Sequence, residues 1–116
     1  MLSLVSSSNR NLLEKGLILH GLTDYFSSVI SGDDVTKHKP NPEAFRQTFD
    51  LIKKEPNEIL IIGDAKTDIM AGHAADTKTC LFTPKDNELF YDFDELRSIQ
   101  PDFEINTLSE LLEITS

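Results

Sequence analysis

Residues 59–68 read ILIIGDAKTD, and the reading of this stretch decides the fold. Ile59, Leu60, Ile61 and Ile62 are apolar and mostly β-branched, with nothing polar alternating between them. That is the pattern of a strand buried on both faces of a parallel sheet. Gly63 supplies a turn, Asp64 follows the strand directly and Asp68 comes four residues later. Thr67 and Asp68 open a helical pattern through Ile69, Met70, Ala71 and His73. Carboxylates just past the carboxyl end of a parallel strand face the crevice where open α/β sheets bind ligands. Two of them close together suit a hard, oxygen-seeking cation such as Mg²⁺. The same residues equally suit a plainer role, with Asp68 as a helix cap and Asp64 as a loop residue.

Outward from this stretch, the chain alternates strand and helix. Residues 2–5 form a strand candidate, followed by Ser6, Ser7 and Ser8 and a helical pattern over 9–20 carrying Leu12, Leu13, Leu17 and Ile18. Ser8 is the expected N-cap. A strand that ends in hydroxyls and backbone amides at a helix start is a ready anion site, although serines are also ordinary turn residues. Residues 21–26 read as a turn whose aromatic pair, Tyr25 and Phe26, packs on the core, and 27–31 as a second strand running into Asp33 and Asp34. Asn41, Pro42 and Glu43 together make a favourable helix start. The helix they open carries Ala44, Phe45, Phe49 and Ile52 on one face. Lys39 stands just before this stiff corner, where it either reaches a phosphate as a point charge or is a solvated surface lysine. His20, His38 and His73 are too scattered for a zinc site. Residues 78–82 and 103–105 are further strands, and 108–114 a terminal helix with Leu108, Leu111 and Leu112 inward. Residues 83–100 are acidic and aromatic (Phe90, Tyr91, Phe93) with a short helix over 95–99. The whole order predicts a parallel sheet flanked by helices.

With 116 residues, 39% hydrophobic and 27% charged, the expectation is one domain with a real core. The net charge of −9 argues against nucleic acid or an anionic membrane surface as partner. The single cysteine, Cys80, lies in an apolar stretch and reads as a small core hydrophobe in a reducing compartment. No segment approaches the roughly 18 apolar residues of a membrane span, and no leader pattern precedes the first strand. The expected location is the cytoplasm.

Three separated pieces, LSLVSSS over 2–8, KPNPEAF over 39–45 and IIGDAKTD over 61–68, together resemble the second, third and fourth motifs of the haloacid dehalogenase superfamily. The branch is that of phosphoglycolate phosphatase and β-phosphoglucomutase. The joining text GLTDYFSSVISGDDVTKHKPNPEAF and the tail PDFEINTLSELLEI match in style, so the resemblance covers essentially the whole chain. It implies an α/β fold with a Rossmann-like three-layer α/β/α parallel sheet. It also implies Mg²⁺-dependent hydrolysis of a phosphomonoester of a small metabolite. In that family's site Ser6 matches the hydroxyl that bonds the phosphoryl group, with the Ser7 amide beside it. Lys39 matches the lysine that holds phosphate and nucleophile together, Asp64 matches a magnesium-binding carboxylate, and Asp68 the acidic residue that supports the same metal cluster.

The pattern departs from the family in one decisive place. The family's first motif, a strand ending in an Asp-x-Asp whose first carboxylate is the nucleophile, has no counterpart here. The only Asp-x-Asp is Asp92-Phe93-Asp94, with no apolar strand before it. The cap domain between the first and second motifs is lacking too. Ala65 and Asp76 are smaller departures, where serine and glycine are common. The chain therefore resembles a carboxyl-terminal half, residues 1–116 forming a partial core that lacks its central strand. Without a carboxylate nucleophile no aspartyl-phosphate forms, so the expectation is no turnover by the chain alone. The strands at 2–6 and 59–62 would each lose a ladder partner, inviting closure of the sheet, self-association or a complementing amino-terminal segment. Two other readings stand beside the phosphatase: a non-catalytic module binding phosphate, metal or a partner, and a receiver-like domain phosphorylated on Asp64.

Overall fold

In the computed structural model of the protein, which describes residues 1–89 and 92–115, strands and helices alternate as expected. The strands are β1 (Ser3–Val5), β2 (Ser28–Ile30), β3 (Leu60–Gly63), β4 (Lys78–Phe82) and β5 (Phe103–Ile105). The helices are α1 (Arg10–Leu19), α2 (Glu43–Ile52), α3 (Lys66–Ala74), α4 (Phe93–Ser98) and α5 (Leu111–Thr115). Every strand pairing is parallel, but the strands form two sheets, β1-β2 and β3-β4-β5. Among the described residues no ladder joins β1 to β3.

Helix α2 bridges the two sheets. Its face of Ala44, Phe45 and Phe49 is buried, as its apolar spacing requires. Phe45 and Phe49 cluster with Ile61 of β3 and with Ala71 and Ala75, while Val5 of β1 and Ile59 lie against the same group. A second cluster joins Ile69, Leu81 and Leu96. Cys80 is fully buried, as expected, and burial pushes its thiol up from its ordinary value.

Several expectations are corrected by the split sheet. β3 is not buried on both faces: Ile61 is, but Ile62 is 39% exposed, because β3 has a neighbour on one side only. In α1 Leu17 alone is buried, and Leu12 and Ile18 are exposed. A two-stranded sheet offers too little surface to cover the whole apolar stripe of a helix. Tyr25 is exposed as well, and so are Leu108 and Leu112, leaving Leu111 half-buried.

The helix starts also shift slightly. Asn9, not Ser8, caps α1 by accepting the Leu12 N–H at 2.9 Å. Pro42 occupies the N-cap position of α2, and Asn41 accepts the Glu43 N–H from one residue earlier, at 3.0 Å. Helix α3 ends in a paired hydrogen-bond motif, Thr77 N–H to Gly72 and Asp76 N–H to His73, with Asp76 in the left-handed region at φ 64°. The Asp-x-Asp of the sequence is a helix start: Asp92 caps α4 by accepting the Glu95 N–H at 3.2 Å. Phe90 and Tyr91 lie outside the described residues. No helix is long and apolar enough to cross a membrane, among the described residues.

Candidate functional site

The serine loop begins where β1 runs out. The Ser6 N–H still completes the ladder by donating to Ile30 at 3.0 Å, and the Ser8 N–H then donates to the Ser6 hydroxyl oxygen at 3.1 Å. That bond uses an accepting lone pair and leaves the Ser6 proton to donate. The loop is fastened to the turn after β2, where the Gly32 N–H donates to Ser8 at 2.8 Å. Glycine is needed there, since a β-carbon would lie 2.3 Å from the Ser7 carbonyl oxygen.

A network not foreseen from the sequence supports this turn. The Asp34 carboxylate accepts from the buried Ser31, from its N–H at 2.7 Å and its hydroxyl at 2.9 Å, and pairs with the Arg10 guanidinium. The Ser31 amide foremost, with Arg10 helping, holds Asp34 below the usual carboxylate range. Arg10 also donates to the Val29 carbonyl, and its N–H donates to Asp33 at 2.8 Å. The signal was present in the sequence: Ser31 and Asp34 have the Ser-x-x-acid spacing of a capping box.

Lys39 is positioned through its approach loop. Glu43 accepts the Lys37 N–H at 2.6 Å and both the N–H and hydroxyl of Thr36 at 3.1 and 3.0 Å. Those amides, that of Lys37 first, hold the Glu43 carboxyl below its ordinary value. The Lys39-Pro40 peptide bond is cis. The Lys39 ammonium lies 5.9 Å from the Phe45 ring centroid and 2.6 Å from Asp68 Oδ1. With 12% and 14% of their side chains exposed, the two form a largely buried ion pair, not a solvated lysine beside a loose acid.

Asp68 fills both roles considered for it. Its second oxygen accepts the Ala65 N–H at 3.2 Å, capping α3, while the first holds Lys39. Its side chain packs so closely on Gly63 that a β-carbon there would lie 2.3 Å from that of Asp68. Asp64, half-buried, is the next residue along, and among the described residues nothing donates to its carboxylate. Lys39, Asp68 and Asp64 thus gather around Gly63 at the carboxyl end of β3. Ser6 and Ser7 remain at the end of β1, with no hydrogen bond to any of the three.

The donor set fits a magnesium ion in part. Among the described residues no three His, Cys, Asp or Glu side chains gather to hold a metal. Magnesium is commonly held by one or two carboxylates, its other positions going to water and substrate phosphate. Asp64, unpartnered, and Asp68, already shared between Lys39 and an amide, match that smaller set. His73 is committed elsewhere: its ring nitrogen lies 3.2 Å from the Thr79 hydroxyl, which Asp102 also engages.

The fold is thus a parallel α/β core with an ammonium–carboxylate pair and, among the described residues, an unpartnered carboxylate at the end of β3. The sequence pattern of the haloacid dehalogenase-like hydrolases matches residues 1–82, and the chain belongs to that family. It is 34% identical over 113 residues to the pyrophosphatase PpaX of Bacillus cereus, a match covering 97% of this chain and 50% of that protein. The fold of a Haemophilus somnus protein described as a predicted phosphoglycolate phosphatase superposes at a TM-score of 0.87. That match has 23% identity and covers 100% of this chain and 50% of the other. The HAD-hydrolase YfnB of Bacillus subtilis, solved bound to magnesium, matches at a TM-score of 0.76 and 29% identity, covering 95% of this chain and 45% of its own. The chain spans about half the length of the curated relatives it matches. Membership of this family displaces the receiver-like reading.

Proposed function

We propose that this chain forms the phosphate- and magnesium-holding part of a cytoplasmic phosphomonoester hydrolase acting on a small phosphorylated metabolite, and that alone it turns nothing over. The observation that carries the reading is the 2.6 Å Lys39–Asp68 pair beside the unpartnered Asp64. Magnesium, when bound, would neutralise charge on the phosphoryl oxygens. Asp64 and Asp68 would hold it. Lys39, kept extended by Asp68, would present its remaining N–H donors to a phosphate oxygen. The Ser6 hydroxyl and Ser7 amide would donate to the same group from the β1 side. Such preorganised donors are the main protein contribution to phosphoryl transfer. A net charge of −9 speaks against nucleic acid or an anionic membrane, and Lys39 together with the bound cation would supply the positive charge that a small anionic substrate needs.

The test is a magnesium-dependent assay with p-nitrophenyl phosphate on the chain and its Asp64→Asn variant, then on the chain mixed with an Asp-x-Asp-bearing amino-terminal half of a relative. No turnover by the chain alone and turnover on reconstitution are expected. Turnover by the chain alone that Asp64→Asn abolishes would mean that an acid in this chain does the nucleophile's work. A second reading, a non-catalytic phosphate- or metal-binding or partner-binding module, is favoured by the commitment of Asp68 to Lys39 and to the Ala65 amide. Inactivity of a folded, reconstituted assembly would select it.

A further inference from the structure

The chain between β2 and α2 serves both limbs of the candidate site, and it is strapped to one helix. At its start, the turn over 31–34 holds the serine loop. The Gly32 N–H donates to Ser8 and the Arg10 N–H to Asp33, each at 2.8 Å, and Asp34 pairs with the Arg10 guanidinium. At its end, residues 36–41 present Lys39. The strap between them, residues 34–37, runs along the polar side of α2. Glu43, in the first turn of α2, accepts from the Lys37 N–H and from the Thr36 N–H and hydroxyl. One turn later the Gln47 side-chain amide donates to the Asp34 carbonyl at 3.2 Å. Residues four apart share a helix face, so Glu43 and Gln47 grip successive points of the strap. An open cleft of about 550 Å³, lined by Thr36, Lys37, Glu43 and Gln47 among others, runs beside it. Thr36 and Lys37 are exposed, so hydrogen bonds and not packing set the place of the strap.

We propose that Gln47 is a positioning residue of the phosphate site: by tying the Asp34 carbonyl to α2, it sets the spacing between the Ser6 and Ser7 donors and the Lys39 ammonium. Among the described residues no ladder joins β1 to β3, and the serines share no hydrogen bond with Lys39, so neither sheet nor direct contact fixes that spacing. Glu43 holds residues 36 and 37 alone, which leaves the strap free to pivot there. Gln47 supplies the second point that stops the pivot and carries the serine limb with it. Its partner is a carbonyl oxygen, so the role needs an N–H donor at position 47. Donors aimed at one phosphate lose much of their effect when one of them is displaced by about 1 Å. The proposal rests on the reading of Ser6, Ser7 and Lys39 as phosphate donors and adds what aligns them.

The test titrates the full chain with inorganic phosphate in the presence of magnesium and follows the amide NMR shifts of Ser6, Ser7 and Lys39. Gln47→Met keeps the length and helix propensity of the side chain and removes the donor. Gln47→Lys restores a donor, and Asp50→Asn, on the same helix, measures what one unit of added charge does to phosphate binding. In the wild-type chain both limbs are expected to follow one binding curve. Gln47→Met should weaken phosphate by about fivefold at an unchanged Tm, and speed amide exchange at Gly32 and Asp34. Gln47→Lys should recover that loss by more than Asp50→Asn gains. Undiminished affinity in Gln47→Met, a loss that tracks a fall in Tm, or a recovery no larger than the gain from Asp50→Asn would each overturn the proposal. Phosphate shifts absent from the wild-type chain would instead overturn the phosphate reading. Exchange at Gly32 and Asp34 then decides the tie by itself: faster in Gln47→Met upholds it, unchanged overturns it.

Discussion

Lys39 and Asp68 are a largely buried ion pair, and such pairs are costly to break from one side, because the remaining charge stays desolvated. Asp68 keeps its bond to the Ala65 amide, which softens the loss. Lys39→Ala is expected to cost about 2 kcal/mol in urea unfolding, and a loss too small to resolve would show that water already screens the pair. Asp76 is the opposite case. It holds the left-handed conformation at φ 64°, which an aspartate tolerates and a glycine adopts freely. Asp76→Gly should raise stability by about 0.5–1 kcal/mol, read as a higher Tm. An unchanged or lower Tm would mean that the Asp76 side chain contributes something its backbone position does not suggest.

At the scale of elements, carboxylates tie strand ends and turns together. Asp102 accepts the Thr79 N–H at 2.9 Å, joining the segment before β5 to β4. Asp34 binds the turn after β2 to α1, and Glu104 of β5 takes a two-pronged bond from Arg97 of α4 at 2.8 and 3.0 Å. Each is held below its ordinary value, Asp102 and Asp34 mainly by a backbone amide and Glu104 mainly by Arg97. A carboxylate whose folded value is depressed stabilises the fold fully above its unfolded value, near pH 4. That stabilisation is lost as pH falls through the lower folded value. The unfolding free energy should therefore be flat from neutral pH to about pH 5 and fall below about pH 4. Asp102→Asn should cost about 1 kcal/mol at neutral pH, allowing for its partial exposure, and make the acid limb shallower. An unchanged acid limb would remove Asp102 from this account.

For the whole molecule, the division into two sheets is the dominant fact. It leaves β1 and β3 on either side of an apolar groove, with Leu108 among its lining residues and exposed. Unpaired strand edges beside apolar surface favour association with further polypeptide. The reconstitution experiment therefore bears on the shape of the whole chain as well as on its site.

The sequence by itself determined the element order, the parallel sense of the sheet, the core face of α2 and the candidate residues Ser6, Ser7, Lys39, Asp64 and Asp68. These follow from local patterns: apolar runs, helical spacing and turn chemistry repeat within a few residues and need no distant partner. Tertiary structure alone decided that Lys39 meets Asp68, that Gly63 makes room for it, and that Arg10 and Asp34 secure the serine loop. The Arg10–Asp34 and Lys39–Asp68 contacts join positions more than twenty residues apart. It also decided burial: Ile62, Leu12 and Ile18 carry apolar signals as strong as those of Ile61 and Leu17, and lie exposed because the strand or helix that would cover them is not among their neighbours. Periodicity records which face a residue occupies, and only the packed chain determines whether anything lies against that face.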